Sequence, residues 1–347
     1  MTRLSLISEH RLEKLCQIIG RNSRHLCSVA FDHSPLLHTL LIAIAFVTAS
    51  IMPLRGLSAE PTLDDDALKV VTTIRPLALI ANDILGDTGY AEALIAAGDS
   101  PHHYSLTPSA RLAAAKADLL LWIGPDFEVN LATFLGLQAN EERVLTASEI
   151  EGLTLHSLGE QHAAHGQGAG HTNTGQFDLH VWLDPNNALR IAATVSAAAT
   201  VLNPAAADSY AQRLEQFARA QQQAQRGLRG RAEAVADQPY LVYHDAYRYL
   251  EEFLGLEHAA ALLVDPERAP TIRELSALRS DVNRSQPVCL FTEPGADAGL
   301  IATALAGHRL REIELDVLGA AVPDGNNGYS RLLDSLADPL IDCLALR

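Results

Sequence analysis

The sequence predicts an α/β protein of two lobes, each built on a parallel sheet, joined by one long rigid helix. Short apolar runs alternate with helical patterns along most of the chain, and such alternation is typical of βα units. One long amphipathic segment divides these runs into an earlier and a later set. The chain has 347 residues, of which 48% are hydrophobic and 5% aromatic. That length allows about two domains, and the scarcity of aromatic residues disfavours an all-β fold.

Residues 1–59 are predicted to be a signal peptide or presequence rather than part of the fold. An apolar run at residues 36–52 follows several basic residues and precedes small ones, which is the plan of a secretory signal. The run is shorter than the roughly 20 apolar residues of a spanning helix, so an uncleaved anchor is the weaker alternative. Cleavage after Ala59 would release an exported chain that begins at Glu60.

The two lobes are predicted to span residues 60–204 and 238–347. Each contains short apolar runs of the length of a buried strand, bounded by polar or turn residues. The predicted strands are residues 68–74, 91–96 and 119–123 in the first lobe, and 240–243, 260–264, 288–292 and 312–315 in the second.

Residues 205–237 are predicted to form the helix that links the lobes. Pro204 stands at a helix start, and apolar residues then recur at intervals of three and four. A helix of that length would extend about 50 Å, at a rise of 1.5 Å per residue, which is more than one α/β lobe needs. We therefore expect it to run the length of the molecule.

The segment 152–177 in the first lobe has no apolar periodicity and is predicted to be a loop. It contains four histidines, and imidazoles at this density are uncommon without a metal role. We predict an auxiliary metal-capturing function for them, with a solvated linker as the plain alternative. These residues are His156, His162, His165 and His171.

The charge balance excludes one class of partner. The chain carries 26 Lys plus Arg against 42 Asp plus Glu, a net charge of 26 − 42 = −16, and it has no Lys/Arg-rich run. A protein that binds along a phosphate backbone needs positively charged residues, so nucleic acid is not expected as a partner.

Two cysteines, Cys289 and Cys343, remain once the presequence is removed. An even pair in an exported protein indicates a disulfide, although two buried free thiols would have the same sequence signature. A bond between them would fasten the C-terminal helix to a core strand.

Four residues are candidates for a metal site. His102 lies in G-D-S-P-H-H-Y, His180 in D-L-H-V-W-L-D-P, His244 in V-Y-H-D-A-Y and Asp316 in L-D-V-L-G. Most of them follow predicted strands, and ligand sites in open α/β sheets gather beyond the carboxyl ends of strands. Each histidine alone is more often a structural hydrogen-bonding residue. Three imidazoles and one carboxylate together form a set suited to Zn²⁺.

In combination, these motifs resemble the zinc-binding solute-binding proteins of bacterial ABC importers, from about Lys69 to Leu344. The resemblance implies two α/β lobes joined by a rigid helix, with the metal in the cleft between them. It assigns the first two histidines to the first lobe, and His244 and Asp316 to the second. Manganese-binding relatives usually have a carboxylate where His244 stands, so this histidine favours zinc. Asp316 or a water remains open as the fourth ligand, because Pro101 replaces a glutamate found in some zinc binders.

The resemblance also implies the function: a periplasmic, high-affinity zinc(II)-binding component of an ABC importer, in a Gram-negative type of envelope. Zinc would be its transported ligand, a membrane permease its partner, and an auxiliary periplasmic metallochaperone a further partner. It would act as a monomer and not as an enzyme. One alternative is a periplasmic zinc buffer or metallochaperone that uses the loop histidines. Another alternative is a zinc hydrolase with Glu293 or Asp245 as base. The absence of an H-E-x-x-H motif disfavours it.

Overall fold

Two four-stranded parallel sheets, each flanked by helices, organise the chain. The computed structural model describes residues 67–346 except 97, 103, 139–142, 159–176, 265 and 267. The predicted presequence lies outside these residues. No helix in the described part of the chain has both the length and the apolar composition needed to cross a bilayer.

The first lobe contains a sheet in the order β2-β1-β3-β4 and a short antiparallel pair, β5-β6. Its elements, in chain order, are β1 (Leu68–Thr72), α1 (Arg75–Leu85), β2 (Gly89–Ala93), α2 (Pro108–Lys116), β3 (Leu119–Trp122), α3 (Val129–Gln138), β4 (Val144–Thr146), β5 (His156–Ser157), β6 (Phe177–Asp178) and α4 (Pro185–Leu202). The central strand β3 reads LLLW and is buried throughout. Continuous apolar strands of this kind occur where helices cover both faces of a parallel sheet.

The linking helix α5 (Ala207–Ala232) has 26 residues. It extends about 39 Å at 1.5 Å per residue. Single 3₁₀ turns, Pro204–Ala206 and Glu233–Val235, flank it, so the α-helix is shorter at both ends than the predicted segment 205–237. Tyr210 and Phe217 are among the residues on its buried face.

The second lobe repeats the βα pattern, with its strands in the order β10-β9-β7-β8. Its elements are β7 (Tyr240–His244), α6 (Arg248–Leu254), β8 (Ala260–Leu263), α7 (Ile272–Ser285), β9 (Cys289–Thr292), α8 (Ala298–Ala304), β10 (Arg311–Glu314) and α9 (Gly328–Ala345). The predicted α/β fold of two lobes with parallel sheets and a long connecting helix is confirmed. The residue boundaries of the lobes stay a prediction.

The C-terminal helix α9 is a second connection between the lobes. A disulfide joins Cys343 in this helix to Cys289 at the start of β9, which confirms the predicted bond. The other end of the helix packs on α1, so closely that a Cβ on Gly328 would lie 2.9 Å from a methyl group of Leu79. The carboxylate of Asp83 in α1 accepts the first backbone N–H groups of α9. Helix α9 therefore belongs to both lobes.

The predicted strand ends differ from the observed ones by at most three residues, and three short strands were not predicted. Strand β4 is half-buried along its length, and β5 and β6 have two residues each, so none has a clear apolar pattern. Because His156 and Ser157 pair with β6, the segment 152–177 is closed at its base by strands rather than being loop throughout.

Candidate metal centre

Three histidines from separate parts of the chain meet at the carboxyl ends of the two sheets. His102 lies in the loop that follows β2, His180 follows β6 directly before a 3₁₀ turn, and His244 is the last residue of β7. The first two belong to the first lobe and the third to the second lobe. The sequence prediction placed His102 and His244 after strands and identified His180 by its motif, and the fold brings the three together.

The imidazoles form one compact group. One ring nitrogen of each histidine lies within 4.8 Å of the corresponding atoms of the other two, and no other group of three or more His, Cys, Asp or Glu in the described residues is arranged this way. The ring centres of His180 and His244 are 5.2 Å apart, and His102 lies 6.0 and 6.1 Å from them. His180 and His244 are only 8% and 5% exposed. One ion of small radius could bind all three nitrogens.

Asp178 orients the ring of His180. Its Oδ1 accepts the backbone N–H of His180 at 3.0 Å and lies 2.7 Å from Nδ1. An imidazole that donates through Nδ1 keeps its Nε2 lone pair free for a metal. Asp178 is 3% exposed, and its Oδ2 has no protein partner. The D-x-H spacing contained this signal, but the sequence analysis gave Asp178 no role.

Glu293 has the matching position beside His244. Its Oε1 lies 3.4 Å from Nδ1 of that imidazole, a longer contact than the one made by Asp178. Burial alone lowers the pKa of His244, but the Glu293 carboxylate raises it, and the net shift is upward. Each lobe thus supplies a histidine with a carboxylate at its Nδ1.

Asp316 follows β10 and lines the same cavity as the three histidines, which has a volume of about 140 Å³. Its two carboxylate oxygens accept backbone N–H groups of Leu318 at 3.0 Å and Ala320 at 2.6 Å. It is not part of the group of mutually close donor atoms. Its role as fourth ligand stays a prediction.

Aromatic rings form the inner wall of the site. Phe127 is 3% exposed, and its ring centre lies 4.7 Å from His102, 5.5 Å from His180 and 5.4 Å from Trp182. Trp182 lies two residues after His180 in the same motif, whereas the sequence analysis missed Phe127. An apolar wall lowers the local polarity and keeps the imidazoles from competing hydrogen bonds with water.

Directly behind Phe127, the Glu128 carboxylate is fully buried. It accepts hydrogen bonds from the Thr73 hydroxyl at 2.5 Å and from the backbone N–H of Gly124 at 2.8 Å. Burial raises the pKa of Glu128 to about 7, although these hydrogen bonds oppose the shift. The group fixes the loop between β3 and α3 that carries Phe127.

The auxiliary site predicted in the histidine-rich loop is only partly within the described residues. His162, His165 and His171 lie outside them. His156 lies in β5, with Nε2 3.3 Å from Oε2 of Glu252 and its ring 4.4 Å from that of Tyr249. It is not a member of the group of three clustered histidines. Metal capture by the loop stays a prediction.

A buried charged pair in the second lobe was also missed by the sequence analysis, which gave His258 no role. Nδ1 of this histidine lies 2.9 Å from Oε1 of Glu251, and the same oxygen accepts the Tyr240 hydroxyl at 2.6 Å. Burial alone lowers the pKa of His258, but Glu251 and then Asp245 raise it to about 9. This pair stabilises the lobe behind β7 rather than facing the cavity.

The chemistry of the cavity matches a metal of borderline softness. Three imidazole nitrogens and a nearby carboxylate suit Zn²⁺ better than Mn²⁺ or Mg²⁺, which prefer oxygen ligands.

A larger cavity of about 360 Å³ lies beside α5 and α9 and includes Asp83 and Arg213. It contains no group of metal donors among the described residues, so size alone does not identify the site.

Comparisons with known proteins agree with this chemistry. A sequence profile of the family described as zinc-uptake complex component A, periplasmic (ZnuA), matches residues 70–343. The chain is 29% identical over 338 residues to the high-affinity zinc uptake system protein ZnuA of Brucella suis biovar 1 (strain 1330), which covers 89% of this chain and 99% of that protein. It is 29% identical over 289 residues to the ZnuA protein of Yersinia pestis, which covers 79% of this chain and 91% of that one.

The fold is also shared with a solved structure. The crystal structure of ZnuA matches 81% of this chain and 100% of its own, with a TM-score of 0.68 and 20% sequence identity. At that identity, the likeness shows a common two-lobed architecture.

Proposed function

Because the chain belongs to the family of periplasmic zinc-uptake component A proteins, we propose that it is the high-affinity zinc-binding component of an ABC-type metal importer. The convergence of His102, His180 and His244 from two lobes carries this proposal. Zinc is then the transported cargo, and the protein delivers it to a membrane permease.

The three histidines bind the ion through neutral imidazole nitrogens. Asp178 holds the ring of His180 by its Nδ1, and Glu293 lies 3.4 Å from Nδ1 of His244, so that Nε2 of each ring is presented to the ion. Such pre-orientation reduces the loss of side-chain entropy on binding. Both rings are already buried, and the ion therefore exchanges its water shell for a set of fixed donors.

We propose that Asp316 supplies the fourth ligand, with a water as the alternative. Three neutral imidazoles and one carboxylate reduce the charge of the bound ion from +2 to +1. The carboxylates of Asp178 and Glu293 offset the remainder without occupying ligand positions. A shell that is closed by protein ligands retains zinc rather than activating a water, as a hydrolase would. We therefore propose a transport role without catalysis.

Several features of the proposal rest on the family alone. The relatives are periplasmic zinc-uptake proteins, and we propose the same compartment and a permease partner for this chain. We also propose that it acts as a monomer and that residues 1–59 are removed on export. We propose an auxiliary metal-capturing function for the histidine-rich loop.

The test is the metal content of the purified protein. The parent and the double variant His102→Ala with His244→Ala are dialysed against a weak chelator, and zinc, manganese and copper are then measured by mass spectrometry. His308→Ala is the matched control, since His308 lies in a turn after α8, outside the clustered donors. We expect one zinc per parent and control chain and none in the double variant.

Zinc retained by the double variant would assign the metal to another part of the chain, such as the loop histidines. No zinc in the parent would remove the transport proposal. A parent that holds manganese in preference to zinc would contradict the assignment of cargo from the nitrogen-rich donor set.

A further inference from the structure

A segment of the second lobe that carries Asp316 is held in place by residues of the first lobe. Residues 315–327 connect β10 to α9 and contain no helix or strand. We call residues 316–322 the Asp316 turn. This turn is closed by its own backbone, with N–H of Gly319 bonded to O of Asp316 and N–H of Val322 bonded to O of Gly319, both at 3.0 Å.

The carboxylate of Asp316 is fixed to this turn. Oδ1 accepts the N–H of Leu318 and Oδ2 accepts the N–H of Ala320. Gly319 has a left-handed φ of +66°, and a Cβ there would lie 2.7 Å from a methyl group of Leu332. Because the turn packs this closely and both oxygens are engaged, the carboxylate moves only when the turn moves.

Arg75 links the turn to the first lobe. It is the first residue of α1, and its guanidinium donates from Nε to O of Gly319 at 3.0 Å and from Nη2 to O of Val322. Nη2 also lies 3.0 Å from Oδ1 of Asp324, although that carboxylate is 79% exposed and the ion pair contributes little. The two carbonyl contacts are the structural link, since they join positions 244 and 247 residues apart.

Trp182 makes a second link. Its Nε1 donates to O of Val317 at 3.0 Å, one residue after Asp316. Trp182 lies two residues after His180, so the same short segment carries a metal-binding histidine and a contact to the turn. The distance between Asp316 and the histidines of the first lobe is therefore set by Arg75 and Trp182.

We propose that Arg75 is a positioning residue of the metal site, which acts on zinc binding through Asp316. This inference rests on the proposed function, in that it takes Asp316 as a zinc ligand. The planar fork of arginine suits this position because one side chain reaches two carbonyl groups of the same turn. A lysine keeps the charge but cannot keep both contacts.

A double-mutant cycle tests the proposal. Zinc affinity is measured by competition with a chromophoric chelator for the parent, Arg75→Met, Asp316→Ala and the double variant. Loss of a residue that supports a metal ligand typically weakens binding 10- to 100-fold, so we expect about a tenfold loss in Arg75→Met. In the Asp316→Ala background, Arg75→Met should change zinc affinity by less than about twofold, because the carboxylate that Arg75 positions is absent.

Arg229→Met is the matched control. Arg229 also donates to backbone carbonyl groups, those of Phe253 and Glu252, but it joins α5 to α6 away from the cavity. We expect it to lower thermal stability without changing zinc affinity. Arg75→Lys is measured in the same cycle and should lose most of the affinity that Arg75→Met loses. It also keeps the test decisive if Arg75→Met does not fold.

Three results would overturn the proposal. These are unchanged zinc affinity in Arg75→Met, an equal loss in the presence and absence of Asp316, and unchanged affinity in Asp316→Ala. The last result would leave the three-histidine zinc site standing, since that site is tested separately by the His102 and His244 substitutions.

Discussion

Asp178 offers the sharpest test of how the site is oriented, because it contacts one of the three clustered histidines and is not itself one of the clustered donors. Its Oδ1 serves two donors of His180, the backbone N–H and the ring Nδ1. Both contacts are buried. Removal of such a supporting partner costs 10- to 100-fold in metal affinity, which is about 1.4 to 2.7 kcal/mol.

The size of the loss should depend on the substitution. Asp178→Asn keeps one acceptor oxygen but loses the charge, so we expect it to weaken zinc binding about tenfold. Asp178→Ala leaves two buried donors without an acceptor, and we expect about a hundredfold loss together with lower stability. Zinc affinity is measured by chelator competition, and ¹⁵N NMR of the metal-free protein reports the tautomer of His180 directly.

Asp184→Asn is the control for removal of a buried carboxylate nearby. Asp184 is 9% exposed and accepts the N–H of Asn186 at the start of α4, but it orients no clustered histidine. We expect this variant to keep its zinc affinity and most of its stability, because asparagine caps a helix about as well as aspartate does. Equal losses of affinity in Asp178→Asn and Asp184→Asn, or an unchanged His180 tautomer in Asp178→Asn, would refute the orienting role.

Two further predictions concern stability. Serine at both Cys289 and Cys343, which are 54 residues apart, should lower the free energy of unfolding in urea by about 4 kcal/mol, and a loss below about 1 kcal/mol would contradict this estimate. The pKa of His258 is raised to about 9, so its stabilising effect is complete below its unfolded pKa of about 6.5 and is lost as the pH rises through about 9. His258→Gln should therefore be less stable than the parent by about 3 kcal/mol at pH 6 and by much less at pH 10. The control His308→Gln should be as stable as the parent at both pH values. If the stability difference between His258→Gln and the parent does not become smaller as the pH rises, the positive charge of His258 is not its cause.

The parts of the fold that were predicted correctly are those with a strong local pattern. Strand β3 is apolar at every position, and α5 repeats apolar residues over many turns. Strands β4 and β6 were missed because they are short and obtain their stability from a neighbouring strand rather than from their own sequence. The disulfide was predictable because only two cysteines follow the predicted presequence.

From the sequence, residues of the site could be predicted only where they lie near the ends of strands. Glu293 illustrates the limit, since it is far from His244 in sequence. The two meet because β7 and β9 are parallel neighbours, with Val242 opposite Phe291. Two residues further along both strands, this register places His244 beside Glu293. Strand order decides the contact, and no local pattern in the sequence specifies strand order.

The geometry of the metal site depends on the core that continues through both lobes. Trp182 and Tyr329 are completely buried in one hydrophobic cluster that includes strands of both sheets. The Tyr329 hydroxyl donates to O of Trp182 at 2.7 Å, and Trp182 donates to O of Val317. The two lobes cannot separate at the site without breaking these contacts and exposing the rings, each of which buries roughly 150 to 250 Å². Buried aromatic side chains therefore help Arg75 to maintain the spacing of His180 and Asp316, and in the sequence these aromatic residues look like ordinary core residues.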